Sequence, residues 1–230
     1  MERFYIITNL MKDPDYGITK EIQKYIEQHG RECILAKEDE QGFIFPGTVP
    51  ENVDCGIVLG GDGTLIRAAR ELAEYEFPLI GINLGTLGFL AEVERSDFSY
   101  ALERLFKNQV GFEERMMLSG EVSGNSSYQN VAVNDIVITR DGSLRIVHFD
   151  VYVNGTLLNS YMADGVIIST PTGTTGRDKV LLMRFPYVCD YADLFSCAEY
   201  QQYRAFGGRY DRDCDQPGTI WKRRAGTGDV

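Results

Sequence analysis

The sequence predicts an α/β domain with a doubly wound parallel sheet, followed by an antiparallel, β-sandwich-like domain. Apolar runs alternate with helical patterns in the first half of the chain, which is the order typical of βαβ units. The run 78–83 is apolar almost throughout, as strands buried on both faces of a parallel sheet are. From Phe112 onward, strand-like runs follow one another without helices between them. We therefore expect the α/β domain over residues 1–110 and the β domain over residues 111–176.

The individual elements follow from the spacing of apolar residues. Ile18, Ile22 and Ile26 recur at helical spacing and predict a helix that Gly30 ends. The dipeptide 154–155, Asn-Gly, separates two strand-like runs and predicts a tight hairpin in the second domain. The predicted strands of the first domain are residues 4–8, 32–35, 55–59 and 78–83, and its predicted helices are residues 17–29, 65–75 and the segment after Asp97.

Composition excludes several classes of protein. The 230 residues are 43% hydrophobic, which is enough for two modest cores. The formal charge of -11 argues against a nucleic-acid partner, and no apolar run approaches the roughly 20 residues that a membrane span needs. The five cysteines form no Cys-x-x-Cys pair, which favours a reducing cytoplasm. His29 and His148 are the only histidines, so the sequence supports neither a zinc site nor a histidine-activated nucleophile.

The stretch 59–64, Leu-Gly-Gly-Asp-Gly-Thr, ends the third predicted strand and carries the main chemical signal. Glycines let backbone N–H groups approach a phosphate, and the N-terminus of the following helix favours anions. Asp62 fits a base that takes a proton from an attacking hydroxyl, or a ligand of Mg²⁺. The alternative is a structural turn that Asp62 caps. The residues assigned to ATP or phosphate binding are Gly60, Gly61, Gly63 and Thr64.

Two further residues could complete this site. Arg67 lies one helical turn beyond the loop and could reach a phosphate, or it is a solvated helix arginine. A second glycine-punctuated turn, 84–90, follows the fourth strand at the end of the sheet where ligands bind in such folds. Phe89 in this turn could stack on a base, or it belongs to the core.

Polar residues also interrupt the strands of the second domain. Asn134 and Asp135 stand between apolar runs, where polar groups need partners or a ligand. Asp164 is a lone carboxylate before the apolar run 166–168, which leads into the loop 169–176. This loop, Ser-Thr-Pro-Thr-Gly-Thr-Thr-Gly, carries hydroxyls that can bind ribose, a base edge or phosphate.

These motifs occur together and in one order, and residues 1–176 resemble the NAD kinases. The resemblance implies ATP-dependent phosphorylation of the 2′-hydroxyl of the adenosine ribose of NAD to give NADP, with Mg²⁺ or another divalent cation accompanying ATP. It also implies an N-terminal α/β domain, a C-terminal β-sandwich-like domain and a homo-oligomer. The motifs are Gly-Gly-Asp-Gly-Thr at 60–64, Gly-Thr-Leu-Gly-Phe at 85–89, Asn-Asp at 134–135, Asp-Gly at 164–165 and Thr-Pro-Thr-Gly-Thr-Thr at 170–175.

The resemblance assigns a role to each matching residue. Asp62 would be the general base, and Gly63 and Arg67 would lie beside the dinucleotide phosphates. Asn134 and Asp135 would hold the ribose and base of NAD. The other NAD-binding positions that the resemblance implies are Phe89, Arg145, Asp164 at the nicotinamide end, Thr172, Thr175 at the start of the adenine-side segment, and Gly176.

The resemblance stops at Gly176. NAD kinases continue from this loop with Ala-Tyr-Ser, whereas Arg-Asp-Lys follows here at 177–179. Residues 177–230 show no strand-like alternation, so we expect a disordered tail outside the family and an incomplete β domain. Read one base later, the codons possible for residues 190–210 can spell Thr-Pro-Ile-Cys-Ser-Pro and Ser-Ile-Val-Leu, which resemble NAD kinase segments. We therefore interpret the tail as an out-of-frame translation.

Two other functions stay open at this point. A β domain without its last strands could leave a non-catalytic remnant that binds nucleotide, so we expect little or no activity from this version of the chain. The Gly-Gly-Asp-Gly motif by itself is shared with the diacylglycerol and sphingosine kinases. A lipid kinase, however, would leave Asn134, Asp135 and the loop 170–175 unexplained.

Overall fold

A computed structural model describes residues 1–174 except 40, 46, 87, 124–126 and 141–145, and beyond them the strands 182–189, 195–197 and 202–205. The chain divides into two compact units. The sequence places the first boundary at residue 110, and the first unit extends to Met117. The first unit comprises Met1–Met117, Ala132–Asp135 and Ser169–Pro186, and the second comprises Leu118–Val131, Ile136–Ile168 and Tyr187–Val230.

The first unit is built on a parallel sheet. Among the described residues before 111, this sheet has five strands: β1 (Arg3–Thr8), β2 (Glu32–Leu35), β3 (Cys55–Gly60), β4 (Leu79–Asn83) and β5 (Val93–Glu94). They lie in the order β2-β1-β3-β4-β5, and every neighbouring pair is parallel. The predicted doubly wound α/β sheet is therefore confirmed.

Helices cover both faces of this sheet. They are α1 (Gly17–Gln28), α2 (Asp62–Glu71) and α3 (Phe98–Phe106), with a short 3-10 turn (Arg95–Asp97) before α3. A Cβ on Gly81 would contact Leu65 of α2, so α2 covers the face opposite to that of Ile80 and Ile82. On that other face, α1 and α3 share a core with the strands that includes Ile22, Ile26, Leu102, Leu105, Phe4, Ile57, Ile80 and Ile82.

A buried carboxylate, Asp13, caps the start of α1 and was not singled out from the sequence. Its Oδ1 accepts a hydrogen bond from the backbone N–H of Ile18 at 3.2 Å, and its Oδ2 accepts from the N–H and hydroxyl of Thr19 at 2.9 and 2.7 Å. Burial acts to raise the pKa of Asp13, but the hydrogen bonds from Thr19 and Ile18 outweigh it and lower the pKa below its usual value. The ionised carboxylate is thus a stabilising part of the fold.

The strands after residue 111 include antiparallel pairs, and most of their residues belong to the second unit. β9 (Val147–Val153) and β10 (Thr156–Ala163) form the predicted hairpin across Asn154 and Gly155, which both have positive φ. β6 (Phe112–Ser123) pairs with β7 (Tyr128–Ala132), and β8 (Asp135–Thr139) pairs with β11 (Gly165–Ser169). One helical turn, α4 (Pro171–Thr174), belongs to the first unit and occupies the start of the segment expected to be a loop.

Beyond residue 177, the described residues form three strands, where the sequence predicts none. They are β12 (Leu182–Cys189), β13 (Phe195–Cys197) and β14 (Gln202–Ala205). β13 pairs with β9 and β14, and β14 pairs with β6. Pairing requires only backbone N–H and C=O groups, so a segment without alternating hydrophobicity can still join a strand edge. The out-of-frame origin of the tail remains a prediction, which the genomic DNA sequence tests.

None of the described helices combines the length and the apolar character that a membrane crossing requires.

Asp13→Asn should destabilise the first unit by about 1–2 kcal/mol near neutral pH, because an amide cannot accept all three hydrogen bonds. The pKa of Asp13 is lower in the folded protein than its usual value of 3.8, so the ionised carboxylate stabilises the fold at pH values above 3.8. This stabilisation is lost as the pH falls through the pKa of the folded protein. Urea unfolding of both proteins should show a stability gap that narrows at acidic pH. Asp15→Asn, which alters an exposed carboxylate of the same turn, should leave stability unchanged. A gap that is constant with pH would contradict the capping role.

Candidate functional site

The site forms at the carboxyl ends of β1 and β3. The chain leaves β1 toward β2 on one side and resumes at β3 on the other, and ligands bind at such a switch point in doubly wound sheets. Asn9, directly after β1, donates its backbone N–H to Leu59 O at 2.8 Å. Its side-chain Nδ2 donates to Thr64 Oγ1 at 2.9 Å. The turn after β1 and the glycine-rich turn after β3 are therefore held together.

Asp62 is the first residue of α2, and its carboxylate binds the turn that follows β4. Oδ2 accepts from the backbone N–H of Phe89 at 2.7 Å, and Oδ1 accepts from Leu90 and Ala91 at 3.0 and 2.9 Å. Three amide donors fix the orientation of this carboxylate. Asp62 thus joins the two glycine-rich turns and does not cap its own helix, which has no side-chain cap.

The helix α2 begins earlier than the sequence predicts. The apolar spacing placed its start at Leu65, but Thr64 N and Leu65 N already donate to Gly61 O at 3.0 and 3.1 Å. Gly61 itself has extended backbone angles and ends the strand-like conformation. The first turn of the helix begins with polar and glycine residues, so the spacing of apolar residues could not identify its start.

The glycines of the first turn serve different purposes. Gly60 is buried, and a Cβ there would collide with the side chain of Thr64. Gly63 is exposed, and a Cβ there would have no atom within 4 Å. Packing within the protein therefore explains Gly60, whereas the space beside Gly63 is open to a ligand.

The second glycine-rich turn is organised by Asn83, which is 4% exposed. Its Oδ1 accepts from Gly85 N at 2.7 Å, and its Nδ2 donates to Thr86 O at 2.8 Å. A Cβ on Gly88 would fall on the carboxylate of Asp62. Only glycine at this position allows Asp62 to approach the backbone of the turn.

Arg67 lies in a cluster with two carboxylates. Its Nη2 is 3.1 Å from Glu38 Oε1, its Nε is 4.0 Å from Glu71 Oε1, and its Nη1 donates to Gln41 O at 3.3 Å. Burial raises the pKa of Glu38 to about 7, although the charge of Arg67 opposes this rise. The Arg67 guanidinium already binds Glu38, Glu71 and the carbonyl of Gln41. To bind a phosphate, it would have to give up some of these contacts or bind the phosphate in addition to them.

The backbone of Asn134 is hydrogen-bonded to Thr170, in the hydroxyl-rich segment that starts at Ser169. Asn134 O accepts from Thr170 N at 2.7 Å, and Thr170 Oγ1 donates to Val133 O at 2.6 Å. The side-chain Oδ1 of Asn134 is buried and has no hydrogen-bond partner among the described residues. Nearby in the chain, Thr172 Oγ1 accepts from Arg115 Nη1 at 3.3 Å. The lone carbonyl of Asn134 is an acceptor that a ligand donor would satisfy.

The structure distributes the other predicted residues as follows. The first unit contains Asn134, Asp135 and Thr172 as well as Asp62, and Asp135 is exposed. Asp164 belongs to the second unit, where its Oδ1 forms an ion pair with Arg140 Nε at 3.2 Å. Arg145, Thr175 and Gly176 lie outside the described residues.

Two asparagines that organise the site were missed by sequence reasoning. Asn9 and Asn83 each stand at the carboxyl end of a buried strand, and both bind the neighbouring turn. A polar side chain directly at the end of an apolar run was the available signal, since such positions line the ligand edge of a doubly wound sheet.

Two family models match the chain. The ATP-NAD kinase N-terminal domain matches residues 45–110, and the ATP-NAD kinase C-terminal domain matches residues 133–177. Over these segments, the chain matches the NAD kinase family. The resemblance predicted for residues 1–176 is confirmed, and the C-terminal match ends next to the predicted limit.

Individual relatives and solved structures agree with this assignment. The NAD kinase of Lachnospira eligens is 47% identical over 183 residues, which cover 76% of this chain and 62% of that protein. The NAD kinase of Lachnoclostridium phytofermentans is 42% identical over 182 residues, which cover 76% of this chain and 64% of that protein. The chain thus spans less than two thirds of the length of these relatives.

The fold is shared with two solved structures of the family. Yeast NADH kinase complexed with NADH superposes with a TM-score of 0.63 at 20% identity, over 93% of this chain and 70% of that chain. The NAD kinase of Archaeoglobus fulgidus in complex with ATP superposes with a TM-score of 0.57 at 17% identity, over 89% of each chain. The predicted fold class of an α/β part with additional antiparallel strands is confirmed.

Gly88→Ala should destabilise the first unit by about 1–3 kcal/mol, because the new methyl group must displace the carboxylate of Asp62 or the turn. Gly63→Ala, in the other glycine-rich turn, is the matched control. Its methyl group meets no atom, and alanine favours helix over glycine, so stability should stay equal or rise by up to about 1 kcal/mol. Urea unfolding measures both changes. A Gly88→Ala protein as stable as the wild type would show that Asp62 does not depend on this close approach.

Proposed function

We propose that the chain carries the catalytic unit that transfers the γ-phosphoryl group of ATP to the 2′-hydroxyl of the adenosine ribose of NAD, giving NADP. The observation that carries the proposal is the setting of Asp62. Its carboxylate is fixed by three backbone N–H groups at the switch point of the sheet, next to the open space beside Gly63. The names of the relatives and the two family matches support the same reaction.

Asp62 is the proposed proton acceptor. The ribose oxygen forms a bond to the γ-phosphorus, the bond from that phosphorus to the β–γ bridging oxygen breaks, and ADP leaves. The hydroxyl proton passes to the carboxylate of Asp62. Because phosphoryl transfer proceeds through a loose transition state, positioning contributes more than proton removal. A carboxylate held in one orientation by three amides is suited to direct the hydroxyl before it accepts the proton.

The first turn of α2 is the proposed phosphate-binding segment. Thr64 N and Leu65 N are used by Gly61 O, whereas the N–H groups of Asp62 and Gly63 precede the first intrahelical bond. Thr64 Oγ1 accepts from Asn9, so its own proton remains available to a phosphate oxygen. Gly63 permits the close approach that a phosphate requires.

The NAD site is proposed around Asn134. Its buried, unpartnered Oδ1 fits a donor from the ribose or base of NAD, and Thr172 lies on the segment whose Thr170 holds Asn134. Phe89, Asp135, Arg145, Asp164, Thr175 and Gly176 remain predicted members of this site.

The divalent cation is proposed to arrive with ATP. Within the described residues, no group of three or more His, Cys, Asp or Glu side chains could hold a metal ion. Mg²⁺ is commonly held by one or two carboxylates and by the phosphates of its nucleotide, which fits a site where Asp62 is the available carboxylate. When bound, the cation neutralises charge on the phosphates.

Location and assembly are further parts of the proposal. Cys33 and Cys55 are free thiols within an apolar core, and burial raises the pKa of Cys33 to about 12. Such unreactive thiols fit a reducing cytoplasm. Assembly into a homo-oligomer remains a prediction.

A nucleotide-binding protein without turnover is the second candidate. Residues 178–230 lie outside both family matches. A lipid kinase is disfavoured because both ATP-NAD kinase domains match.

Asp62→Asn tests the proposed function. Because we expect little activity from this version of the chain, incubation with NAD, ATP and Mg²⁺ should form NADP slowly, at a rate that chromatography detects. The variant should lose about 10²- to 10⁴-fold in kcat, because an amide cannot take the proton. Asp97→Asn, at the start of α3, should keep full activity. ATP binding without NADP formation by the wild type would favour the second candidate, and an active Asp62→Asn protein would exclude Asp62 as the base.

Asn134→Ala should weaken NAD binding by about 1–3 kcal/mol, since the substitution removes the acceptor proposed for NAD. Binding of ATP should change little. Calorimetric titration of each nucleotide measures both effects, and Asn130→Ala, an exposed asparagine of β7, is the control. A loss confined to ATP would place Asn134 on the donor side instead.

A further inference from the structure

The ammonium group of Lys12 lies between the two glycine-rich turns. Its Nζ is 3.0 Å from the position that a Cβ would take on Gly61, and 2.9 Å from the position that a Cβ would take on Gly85. A side chain at either position would therefore displace the ammonium group. The absence of side chains at Gly61 and Gly85 leaves room for Lys12 at this edge of the sheet.

The backbone of Lys12 is held on both sides. Lys12 N donates to Asn9 O at 2.9 Å, and Asn9 is itself bonded to Leu59 and Thr64. The next residue, Asp13, is buried and bonded to Thr19. Lys12 thus projects an exposed, flexible side chain from a fixed base, at the end of β1 that lies beside the Gly-Gly-Asp-Gly turn.

The charge of Lys12 is available to a ligand. No carboxylate among the described residues lies within ion-pair distance of its Nζ, whereas Arg67 is paired with Glu38 and Glu71. The nearby carboxylate of Asp62 is bonded to the amides of Phe89, Leu90 and Ala91.

We propose that Lys12 binds the triphosphate chain of the phosphate donor, ATP. This inference rests on the proposed function. The γ-phosphorus must reach a hydroxyl beside Asp62, and Gly61, which the ammonium group adjoins, directly precedes Asp62. A triphosphate brought next to a carboxylate requires a compensating positive charge, which a lysine supplies as a compact point charge.

The donor is favoured over NAD for two reasons. The triphosphate of ATP carries about twice the charge of the NAD pyrophosphate, so a lysine gains more from binding it. The acceptor proposed for NAD, the Oδ1 of Asn134, lies on a separate chain segment, 132–135.

Lys12→Met in the full chain tests the inference. Calorimetric titration should show a Kd for ATP raised by about 10- to 100-fold and a Kd for NAD changed less than about twofold. Lys12→Arg should restore ATP binding to within about fivefold of the wild type. Lys24→Met, which removes the same charge from the exposed side of α1, should bind both nucleotides as the wild type does. Inorganic triphosphate should compete with ATP on the wild type and much less on Lys12→Met.

Each contrary result has a definite meaning. Unchanged ATP binding by Lys12→Met, or a larger loss for NAD than for ATP, would overturn the inference, as would a wild-type chain that binds neither ATP nor triphosphate. Lys12-dependent ATP binding without any NADP formation would uphold the inference while the proposed function fails. If Lys12→Met forms NADP with an unchanged KM for ATP, the proposed function is upheld and the inference is overturned.

Discussion

The hydrogen bonds between the carboxylate of Asp62 and three consecutive amides are the interaction on which the rest of the site depends. They bring the start of α2 against the turn after β4, although Asp62 and Phe89 are distant in the sequence. Gly88 has no side chain because the carboxylate occupies that space. Asn83 shapes the same turn from its other end. The hydrogen bonds between Asp62 and the 89–91 amides therefore fix the two glycine-rich turns relative to each other.

The same contact organises the charges of the site. The carboxylate is bonded to the 89–91 amides, and Arg67 is engaged by Glu38 and Glu71. Positive potential near the Gly-Gly-Asp-Gly turn then comes from the helix N-terminus and from Lys12. The proposed binding of an anionic nucleotide to this acidic chain therefore requires no broad basic surface.

The sequence predicted the elements that depend on local patterns. Continuous apolar runs identified β1, β3 and β4, and Asn154-Gly155 identified the β9–β10 hairpin, because periodicity and turn chemistry are local properties. It also selected Asp62 and Asn134. It could not show the partners of Asp62, the pairing of Arg67 with Glu38, or the strands β12, β13 and β14, because these depend on residues far apart in the chain.

The bonds from Asp62 to the turn 89–91 also have a mechanical consequence. Asp62 is rigidly attached to α2 through the backbone, and the turn carries Phe89. A nucleotide that displaces the turn would have to stretch these three bonds or move the start of α2 with it. The carboxylate and the turn therefore move as one body, so that any displacement of the turn changes the orientation of the proposed base, Asp62.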